Sequence, residues 1–536
     1  MTGTGLQRNV LFIMCDQLRF DYLSCFGHPH LETPNIDGLA ARGVRFMRAY
    51  VQSPICVPSR MSFYTGRYVH AHGCTWNQIP LRVGEPTLGD HLRSLGVRTA
   101  LAGKTHMSAD LAGMARLGID PASHMGILIA QCGFEPFERH DGLHPDRQVK
   151  RPAYESYLRA HGFDAPNPWH EWANAAAGED GAVLSGWLME NADKPARIPA
   201  EHSETAYMTG RAMDFMEEAG DQDWCLHLSY IKPHWPYIAP APYHALYGAN
   251  QMLPAVRSQA ERESAPPVFA AFMQEVVSRT MSDDAVRARA VPAYMGLVKE
   301  IDDQLGRLFG FMEERGLLEN TMIAFTSDHG DYLGDHWLGE KELFHEPSVR
   351  FPLIVADPRG DADATRGTVS DALVEAVDLA PTFIEYFGGT PPGEILEGRA
   401  HGHGVRRPLE IRHGRRFSAD VVRSGVRPGG TDGPSHDDRT RARAGPPARG
   451  DLRLAAAPSQ PHHHQRPRDR TALRTGTARR HRHRLLGPGS GRPGSEARPA
   501  LRLDQADRAT AINASANGPI CASVRPATFM RPAPTI

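Results

Sequence analysis

The sequence predicts an α/β protein in which helices cover both faces of a central, mostly parallel β-sheet. Along the first 399 residues, short apolar runs alternate with longer stretches of helical periodicity. This alternation is typical of parallel strands that are joined by helices. Four of the apolar runs are followed at once by unusual polar residues, as expected where parallel strands end at a ligand-binding edge.

The strand candidates are short apolar runs with few polar interruptions. They cover Asn9–Cys15, 97–101, Trp224–Tyr230, 322–326 and 352–356. Each has the length of an ordinary strand. Their nearly continuous apolar character predicts burial on both faces of the sheet.

The helix candidates show apolar residues at helical spacing. They cover 35–42, 87–94, 204–218 and 291–314. In the last of these, the apolar residues between Leu297 and Phe309 are separated by charged ones. We therefore predict that Glu300, Asp302 and Asp303 form a solvated helix face rather than a set of metal ligands.

The composition is that of a globular protein, with 41% hydrophobic and 23% charged residues. No apolar run approaches the roughly 20 residues that cross a bilayer, and the segment before the first strand is too short and polar for a secretory leader. We therefore predict a cytoplasmic location without a membrane or nucleic-acid partner. The seven cysteines are scattered and form neither a disulfide framework nor a zinc cluster.

The chain divides at about residue 400 into a catalytic domain, 1–399, and a tail, 400–536. From 401 onward it has 26 Arg, no Lys and 10 acidic residues, and only Phe417 and Phe529 are aromatic. Such a composition predicts disorder. One hypothesis is a natural basic tail that binds a polyanion. The other is a frameshift that replaced the original C-terminal subdomain, which the simultaneous loss of Lys, Tyr and Trp favours.

Polar residues stand at the ends of four predicted strands. They are Asp16 and Gln17, Lys104 and His106, His234, and Asp328 and His329. The carboxyl ends of parallel strands lie at one edge of a sheet, so these side chains are expected to face one cleft. Each alone has a plainer interpretation as a helix cap or a packed residue, but their joint placement favours a site.

Cys56 is the candidate nucleophile. Pro58 suits the first turn of a helix and Gly66 its end. Cys56 would then lie near a helix N-terminus, where free N–H groups favour an anion. A buried structural cysteine and a simple thiolate nucleophile are the alternatives.

The run Cys56-Val57-Pro58-Ser59-Arg60, followed by Thr65-Gly66-Arg67, resembles the signature of the sulfatase family in the alkaline-phosphatase-like superfamily. Other motifs follow in the family's order: Gly103-Lys104-Thr105-His106, Pro233-His234-Trp235-Pro236, Ser327-Asp328-His329-Gly330 and Gly339-Glu340-Lys341. The resemblance covers about 1–399. It implies a three-layer α/β/α fold, followed in the family by a C-terminal subdomain that we expect to be lost or replaced in this chain.

The resemblance also implies a set of roles. Cys56 would be oxidised to formylglycine by a maturation enzyme, and Arg60 would hold the hydrated aldehyde. One divalent cation would be bound by Asp16, Gln17, Asp328, His329 and the residue formed from Cys56. The sulfate would be contacted by Lys104 and Lys341, while His106 would assist regeneration of the aldehyde and His234 would serve the leaving oxygen. Asn77 would face the substrate.

Two departures from many arylsulfatases bear on metal and substrate. Gln17 and His329 stand where a second Asp and an Asn are common, as in choline-sulfatase-like and phosphonate-monoester-hydrolase-like members. An imidazole ligand makes Mn²⁺ plausible beside Ca²⁺, the first expectation. Lys104-x-His106 is the sulfatase form and favours sulfate over phosphonate.

We therefore predict a sulfuric ester hydrolase acting on a small-molecule sulfate ester. A phosphonate monoester or phosphodiester hydrolase with the same site is the first alternative, and an inactive truncated product is the second. Trp76 and Trp235 are candidates for the leaving-group pocket, with simple packing as the alternative. The 110–200 insertion, which contains Trp169, Trp172 and Trp187, is a candidate lid or homo-oligomer contact.

Overall fold

An eight-stranded sheet runs through the centre of the protein, and a separate sheet has two strands. The computed structural model describes residues 7–142 and 153–400. The strands are β1 Asn9–Cys15, β2 Val44–Tyr50, β3 Arg98–Gly103, β4 Glu135–Arg139, β5 Ala175–Ala177, β6 Val183–Ser185, β7 Trp224–Tyr230, β8 Thr321–Ser327, β9 Leu353–Ala356 and β10 Thr368–Glu375. The large sheet has the order β10-β2-β9-β8-β1-β7-β3-β4, and β5 pairs with β6 separately.

The large sheet is mostly parallel, as predicted. β1 pairs in parallel with both β7 and β8, and β3 does so with β7 and β4. β9 alone in this sheet runs against its two neighbours, β2 and β8. The four neighbouring strands β8, β1, β7 and β3 therefore all end at the same edge.

Fourteen α-helices surround the sheet in the described part of the chain. They are α1 Pro34–Arg42, α2 Cys56–Thr65, α3 Val69–His72, α4 Leu88–Ser94, α5 Leu111–Arg116, α6 His124–Ile129, α7 Ala153–Ala160, α8 Glu204–Ala219, α9 Gln259–Glu263, α10 Pro267–Met273, α11 Val276–Met281, α12 Asp284–Glu314, α13 Glu346–Val349 and α14 Leu379–Tyr386.

Successive residues of β1 point into two different cores. Leu11 and Ile13 belong to the core that contains buried residues of α1, α8 and α12. Val10 and Phe12 belong to the core that contains residues of α2, α4 and α14. Because side chains alternate across a strand, this pattern places one helical layer on each face, and the three-layer α/β/α fold is confirmed.

The predicted bounds are accurate for the buried strands and wrong at one long helix. β1 and β7 have the predicted ends. Helix α12 was expected to begin at 291. It begins instead at Asp284, with Pro292 in its interior, and the Asp283 carboxylate caps it by accepting from the Ala285 N–H at 2.8 Å.

The prediction of a solvated acidic face on α12 is wrong for two of its three residues. Glu300 and Asp302 are buried. The Asp302 carboxylate accepts the backbone N–H groups of Asn35 at 3.0 Å and Ile36 at 2.9 Å. It thereby satisfies free N–H groups in the first turn of α1, a contact that sequence spacing does not reveal.

Within the described ranges, no helix is both long enough and apolar enough to cross a bilayer. The cytoplasmic location stays a prediction. The predicted tail, 400–536, lies outside the described residues except for its first residue.

Candidate active site

The four central strands deliver polar side chains to one edge of the sheet. Asp328 follows β8, Asp16 follows β1, Lys104 follows β3, and His234 follows β7 after a turn of three residues. The strands are neighbours in the order β8-β1-β7-β3, so the four groups line a single edge.

The end of β3 depends on a glycine. Gly103 has φ of 118°, and a Cβ atom there would lie 1.9 Å from the Ser229 carbonyl oxygen on β7. Only glycine allows this approach, and it brings Lys104 beside the neighbouring strand. Left-handed backbone also occurs at Gln17 and His106, with φ of 66° and 58°, which marks the loops after β1 and β3 as strained.

Helix α2 begins at Cys56 and ends before Gly66, which is left-handed with φ of 63°. The predicted helix is therefore confirmed. Cys56 is fully buried. The Asn77 side-chain oxygen accepts the Val57 N–H at 3.1 Å, so the amide of Asn77 is anchored beside the helix N-terminus and its NH₂ group is left for other partners.

Asp16, Cys56, Asp328 and His329 form a buried cluster that could hold a metal ion. One ligand atom from each lies within 4.8 Å of the others. The His329 Nε2 atom is 3.2 Å from the Cys56 sulfur and 3.7 Å from the Asp328 carboxylate. The His329 Nδ1 atom is bonded to the Gly330 carbonyl at 2.9 Å, which leaves Nε2 as the ligand atom.

Gln17 joins the cluster through an oriented amide. Its Nε2 donates to Asp331 at 2.6 Å, and its Oε1 accepts from Lys341 Nζ at 2.8 Å. Its backbone N–H donates to Asp328 at 3.1 Å. An ionised Asp331 carboxylate can only accept hydrogen bonds, so the Gln17 NH₂ group points toward Asp331. The Gln17 oxygen therefore points toward Lys341 and the cluster, and an amide oxygen is a suitable ligand for a hard divalent cation.

Arg60 bridges the two carboxylates of the cluster. Its Nε donates to Asp328 at 2.8 Å and its Nη2 to Asp16 at 3.0 Å. Its Nη1 donates to the Lys104 carbonyl at 2.7 Å and to the Ser229 hydroxyl at 2.8 Å. The guanidinium therefore fixes the ends of four neighbouring strands relative to one another.

Two lysines add positive charge beside Cys56. Lys104 Nζ is 2.5 Å from the Asp16 carboxylate, and Lys341 Nζ is 2.9 Å from His234 Nε2. His234 Nδ1 donates to the Trp235 carbonyl, so Nε2 is the atom that accepts from the Lys341 ammonium. The arrangement is suited to an anionic ester whose leaving oxygen lies near His234.

The charges shift the pKa values of the cluster. Burial favours the neutral Cys56 thiol, but Lys341, Lys104 and His329 hold its pKa well below the ordinary value. Burial would also lower the pKa of His329, but Asp328 and Cys56 raise it to about 9. The site therefore stabilises negative charge at position 56, which is where a nucleophilic oxygen or thiolate would be needed.

His106 is held against Cys56 by residues that the sequence did not single out. A side-chain hydrogen bond joins it to Cys56, and burial and the Lys104 charge lower its pKa. The Asp141 Oδ1 atom accepts the N–H groups of Thr105 at 3.1 Å and His106 at 3.0 Å. Asp141 follows the end of β4, so the strand-end pattern would have indicated it had β4 been predicted.

A second missed group is Arg139, the last residue of β4. It donates to Asp141 at 2.8 Å through Nε and to the Met107 carbonyl at 2.9 Å. Together with the Arg60 bond to the Lys104 carbonyl, these contacts fix the backbone on both sides of His106.

All predicted site residues lie in this one region. The donor set of two carboxylates, one imidazole and one amide oxygen fits a divalent cation such as Ca²⁺ or Mn²⁺. A divalent cation held there would lie beside Cys56. It would also lie beside the positively charged side chains of Lys104 and Lys341, which attract an anionic ester. The geometry supports hydrolysis of an anionic ester.

Comparisons with known proteins agree with this chemistry. The multifunctional alkaline phosphatase superfamily protein PehA of Trinickia caryophylli is 30% identical over 420 residues, covering 74% of this chain and 76% of the relative. The choline-sulfatase of Rhizobium meliloti is 28% identical over 383 residues, covering 71% and 67%. The structure of a phosphonate monoester hydrolase from Silicibacter pomeroyi has a TM-score of 0.64 and 27% identity, covering 76% of this chain and 78% of the other.

The family model for sulfatases matches residues 8–389, a range that contains every strand and helix described above. The match extends over most of the chain and includes each group of the site. The chain belongs to the sulfatase family and is a sulfuric ester hydrolase of the alkaline-phosphatase-like superfamily.

Proposed function

We propose that the protein hydrolyses a small-molecule sulfate ester with a formylglycine nucleophile made from Cys56. The observation that carries the proposal is the position of Cys56. Cys56 is fully buried at the start of α2 and is bonded to His329 and His106. The charges of two lysines lower the pKa of its thiol. A thiolate would be stabilised by the same positive charges, but the metal ligands beside Cys56 fit an oxygen nucleophile that a divalent cation would activate.

A divalent cation, Ca²⁺ in the first place and Mn²⁺ as the alternative, would be held by Asp16, Gln17, Asp328, His329 and the residue formed from Cys56. Such a cation lowers the pKa of a bound hydroxyl and neutralises charge on the ester. The chain's own contribution is the orientation of the ligands, through Asp331 at Gln17 and the Gly330 carbonyl at His329.

The remaining residues have separate tasks. Lys104 and Lys341 bind the sulfate oxygens as fixed positive charges. His234, with Nε2 next to Lys341, hydrogen-bonds or protonates the leaving oxygen. His106 accepts a proton at the oxygen of residue 56 when the sulfate is released, and the free NH₂ group of Asn77 contacts the substrate.

For Arg60 we propose a positioning role instead of direct contact with the nucleophile. Its N–H groups donate to Asp16, Asp328, the Lys104 carbonyl and Ser229. Contact with a hydrated aldehyde at residue 56 would compete with these bonds. The guanidinium therefore acts by fixing the two carboxylates and the Lys104 loop.

The burial of Cys56 also bears on its maturation. An enzyme cannot reach a side chain with no exposed surface inside a packed helix, so oxidation to formylglycine must precede folding of this region. We therefore expect coexpression with the maturation enzyme to raise activity, and treatment of the folded protein to have no effect.

A phosphonate monoester hydrolase is the second candidate, and specific observations favour it. The solved structure from Silicibacter pomeroyi is a phosphonate monoester hydrolase, and this chain has Asn77 at the N-terminus of α2. The Lys104-x-His106 pair, with His106 bonded to Cys56, favours a sulfate ester over a phosphonate ester as the substrate.

The test combines mass spectrometry with parallel assays. We expect the peptide containing residue 56 from coexpressed protein to have the mass of an aldehyde in place of the thiol. We also expect a higher kcat/KM on 4-nitrophenyl sulfate than on 4-nitrophenyl phenylphosphonate. Cys56→Ala should abolish turnover, whereas Cys25→Ala, at a half-buried cysteine outside the site, should not.

Each outcome has a clear meaning. A strong preference for the phosphonate would replace the sulfate assignment and leave the nucleophile in place. Turnover with an unmodified Cys56 would favour a thiolate nucleophile. An aldehyde-containing protein that hydrolyses neither ester would contradict the proposal and favour an inactive product.

A further inference from the structure

The short segment 232–236, which carries His234, is closed on itself by a buried lysine. Lys232 is 5% exposed, and its Nζ donates to the Pro236 carbonyl at 2.9 Å. This hydrogen bond joins the two ends of the segment, with His234 midway between them. Lys232 has no task in the chemistry proposed above, although it stands two residues before the group that serves the leaving oxygen.

A second hydrogen bond joins Lys232 to the 110–200 insertion. Its Nζ also donates to the side-chain oxygen of Asn174 at 2.9 Å. Asn174 is fully buried, and its backbone N–H and its Nδ2 both donate to the Trp169 carbonyl, at 3.0 and 3.3 Å. Because its NH₂ group is held there, the amide oxygen is the end that points to Lys232. The ammonium therefore links the insertion to the His234 segment.

The insertion contacts the same region at two further places. The rings of Trp187 and Trp235 meet edge to face, with centroids 4.7 Å apart and an angle of 84° between their planes. Just beyond the segment, the Ala196 N–H donates to the Ala239 carbonyl at 2.8 Å. Both indole rings are buried, and a packed interior leaves a buried ring little room to shift.

Carboxylates compensate the charge of the buried lysine. Burial favours the neutral amine, whereas Glu204 and Glu300 favour the ammonium, and together they place the Lys232 pKa at about 8. At neutral pH the side chain is therefore mostly protonated and has N–H groups for both Pro236 and Asn174. A buried ammonium with several acceptors is held in one place, because leaving any of them unpaired costs free energy.

From these contacts we infer that Lys232 is a positioning residue for His234 and that Asn174 of the insertion holds Lys232 in place. The two hydrogen bonds of Lys232 fix the path of the segment, and this path sets where the imidazole meets the leaving oxygen. A displacement of about 1 Å costs a large part of the rate that such a group contributes. The inference rests on the proposed function for the task of His234.

Two sulfate esters separate positioning from a general loss of structure. The leaving oxygen of 4-nitrophenyl sulfate is weakly basic and needs little help from an acid, whereas that of phenyl sulfate is more basic and needs more. We expect Lys232→Met and Asn174→Ala to lower kcat/KM about 10- to 100-fold for phenyl sulfate and about threefold or less for 4-nitrophenyl sulfate. A variant with less folded protein would lose both rates by the same factor.

Matched control variants lie in the same insertion. Lys194 and Asn191 are half-buried there, and Lys194→Met and Asn191→Ala should leave both rates within about twofold. Asn174→Asp keeps an oxygen that accepts from Lys232 and should recover most of the phenyl sulfate rate. In a His234→Ala background, Lys232→Met should not change the ratio of the two rates further, because both changes act through one imidazole.

Hydrogen–deuterium exchange tests the two hydrogen bonds of Lys232 without turnover. The Pro236 carbonyl also accepts the Ile238 N–H, at 3.0 Å, so peptides covering 231–238 report whether the segment stays closed. Lys232→Met should cause a loss of protection in these peptides. Lys194→Met should exchange like the wild type.

The inference and the proposed function fail separately. If the wild type hydrolyses neither sulfate ester, the proposed function is wrong. Loss of protection in Lys232→Met would then still support the positioning of the segment by Lys232, and unchanged protection would overturn it. If the esters are hydrolysed and Lys232→Met lowers both rates by the same factor, the inference is overturned and the proposed function stands.

Discussion

At the scale of single residues, the site is organised by side chains for which we propose a positioning role. Arg60 holds the two cluster carboxylates and the Lys104 carbonyl, and Asp331 orients Gln17. Burying such groups costs little free energy while they are hydrogen-bonded to one another. Removing one partner leaves the other buried without a hydrogen bond. The precision of the site therefore depends on residues one contact away from the reacting atoms.

Asp141 gives a sharp test of this dependence. Asp141→Ala removes the acceptor for the Thr105 and His106 N–H groups and frees a residue held at a φ of 58°. We expect kcat to fall by about 10- to 100-fold, the effect of a displaced catalytic group, with KM changed less. Asp141→Asn, which keeps an acceptor oxygen, should recover much of the rate in steady-state assays.

The control for this variant is the surface pair of Arg159 and Asp164, whose contact is 3.1 Å and whose carboxylate is exposed. Asp164→Ala should not change kcat. In a His106→Ala background, the further loss from Asp141→Ala should disappear, because both changes act through the same imidazole. An equal loss in that background would show that Asp141 acts elsewhere.

At the scale of elements, helix α12 carries buried acids that its sequence pattern had placed in solvent. Glu300 is 1% exposed, and burial raises its pKa from 4.5 to about 7. The polar groups that act on it are Ser203 and Lys232, which lower its pKa, and Glu204 and Asp303, which raise it. The helix therefore contains an acid that is protonated in the folded state at pH values where it is ionised in the unfolded chain.

This difference predicts a pH dependence of stability. The folded state retains a proton on Glu300 that the unfolded state loses, so the free energy of unfolding should fall as the pH rises from 4.5 to 7. The full effect is at most about 3 kcal/mol. In urea unfolding, the free energy of unfolding of Glu300→Gln should fall less over this pH range than that of the wild type. The other titrating groups are the same in both proteins.

The matched control for this helix is Glu313→Gln, a change at an exposed glutamate of α12. Its unfolding curves should follow the wild type at each pH. Identical pH profiles for Glu300→Gln and the wild type would mean that Glu300 is already paired when ionised.

At the scale of the whole molecule, the metal-type cluster joins distant parts of the chain. Asp16, Cys56 and Asp328 come from segments more than 30 residues apart and meet within 4.8 Å. A cation that binds only the folded state stabilises the whole fold by mass action, by about 2.7 kcal/mol at 100 times its Kd. Metal binding at this cluster would thus be coupled to global stability as well as to activity.

We therefore expect chelation to lower the Tm by about 5 °C and added Ca²⁺ or Mn²⁺ to restore it. Differential scanning fluorimetry measures this without any turnover. Asp328→Asn should reduce the cation-dependent rise, because the amide is a weaker ligand than the carboxylate. A Tm that does not respond to either cation would contradict the metal site.

The buried strands of the sheet were predicted accurately, and the exposed edge strands were not. β1 and β7 lie inside the sheet, are buried along their length, and were predicted at both ends. β4 and β10 form the two edges of the sheet and carry exposed or half-exposed residues. Their sequences mix polar with apolar side chains, so they were not predicted, and with β4 the residues Arg139 and Asp141 were missed.

The sequence by itself determined the central strands and the position of the Cys56 helix, because local periodicity and capping residues encode them directly, and its resemblance to the sulfatase family supplied the candidate groups for the chemistry. Only the tertiary structure decided which atoms meet. The bridging role of Arg60, the support of His106 by Asp141, the burial of Glu300 and the joining of Trp187 with Trp235 all link residues distant along the chain or on opposite sides of a turn. Such contacts depend on strand order and helix packing, which no local pattern specifies.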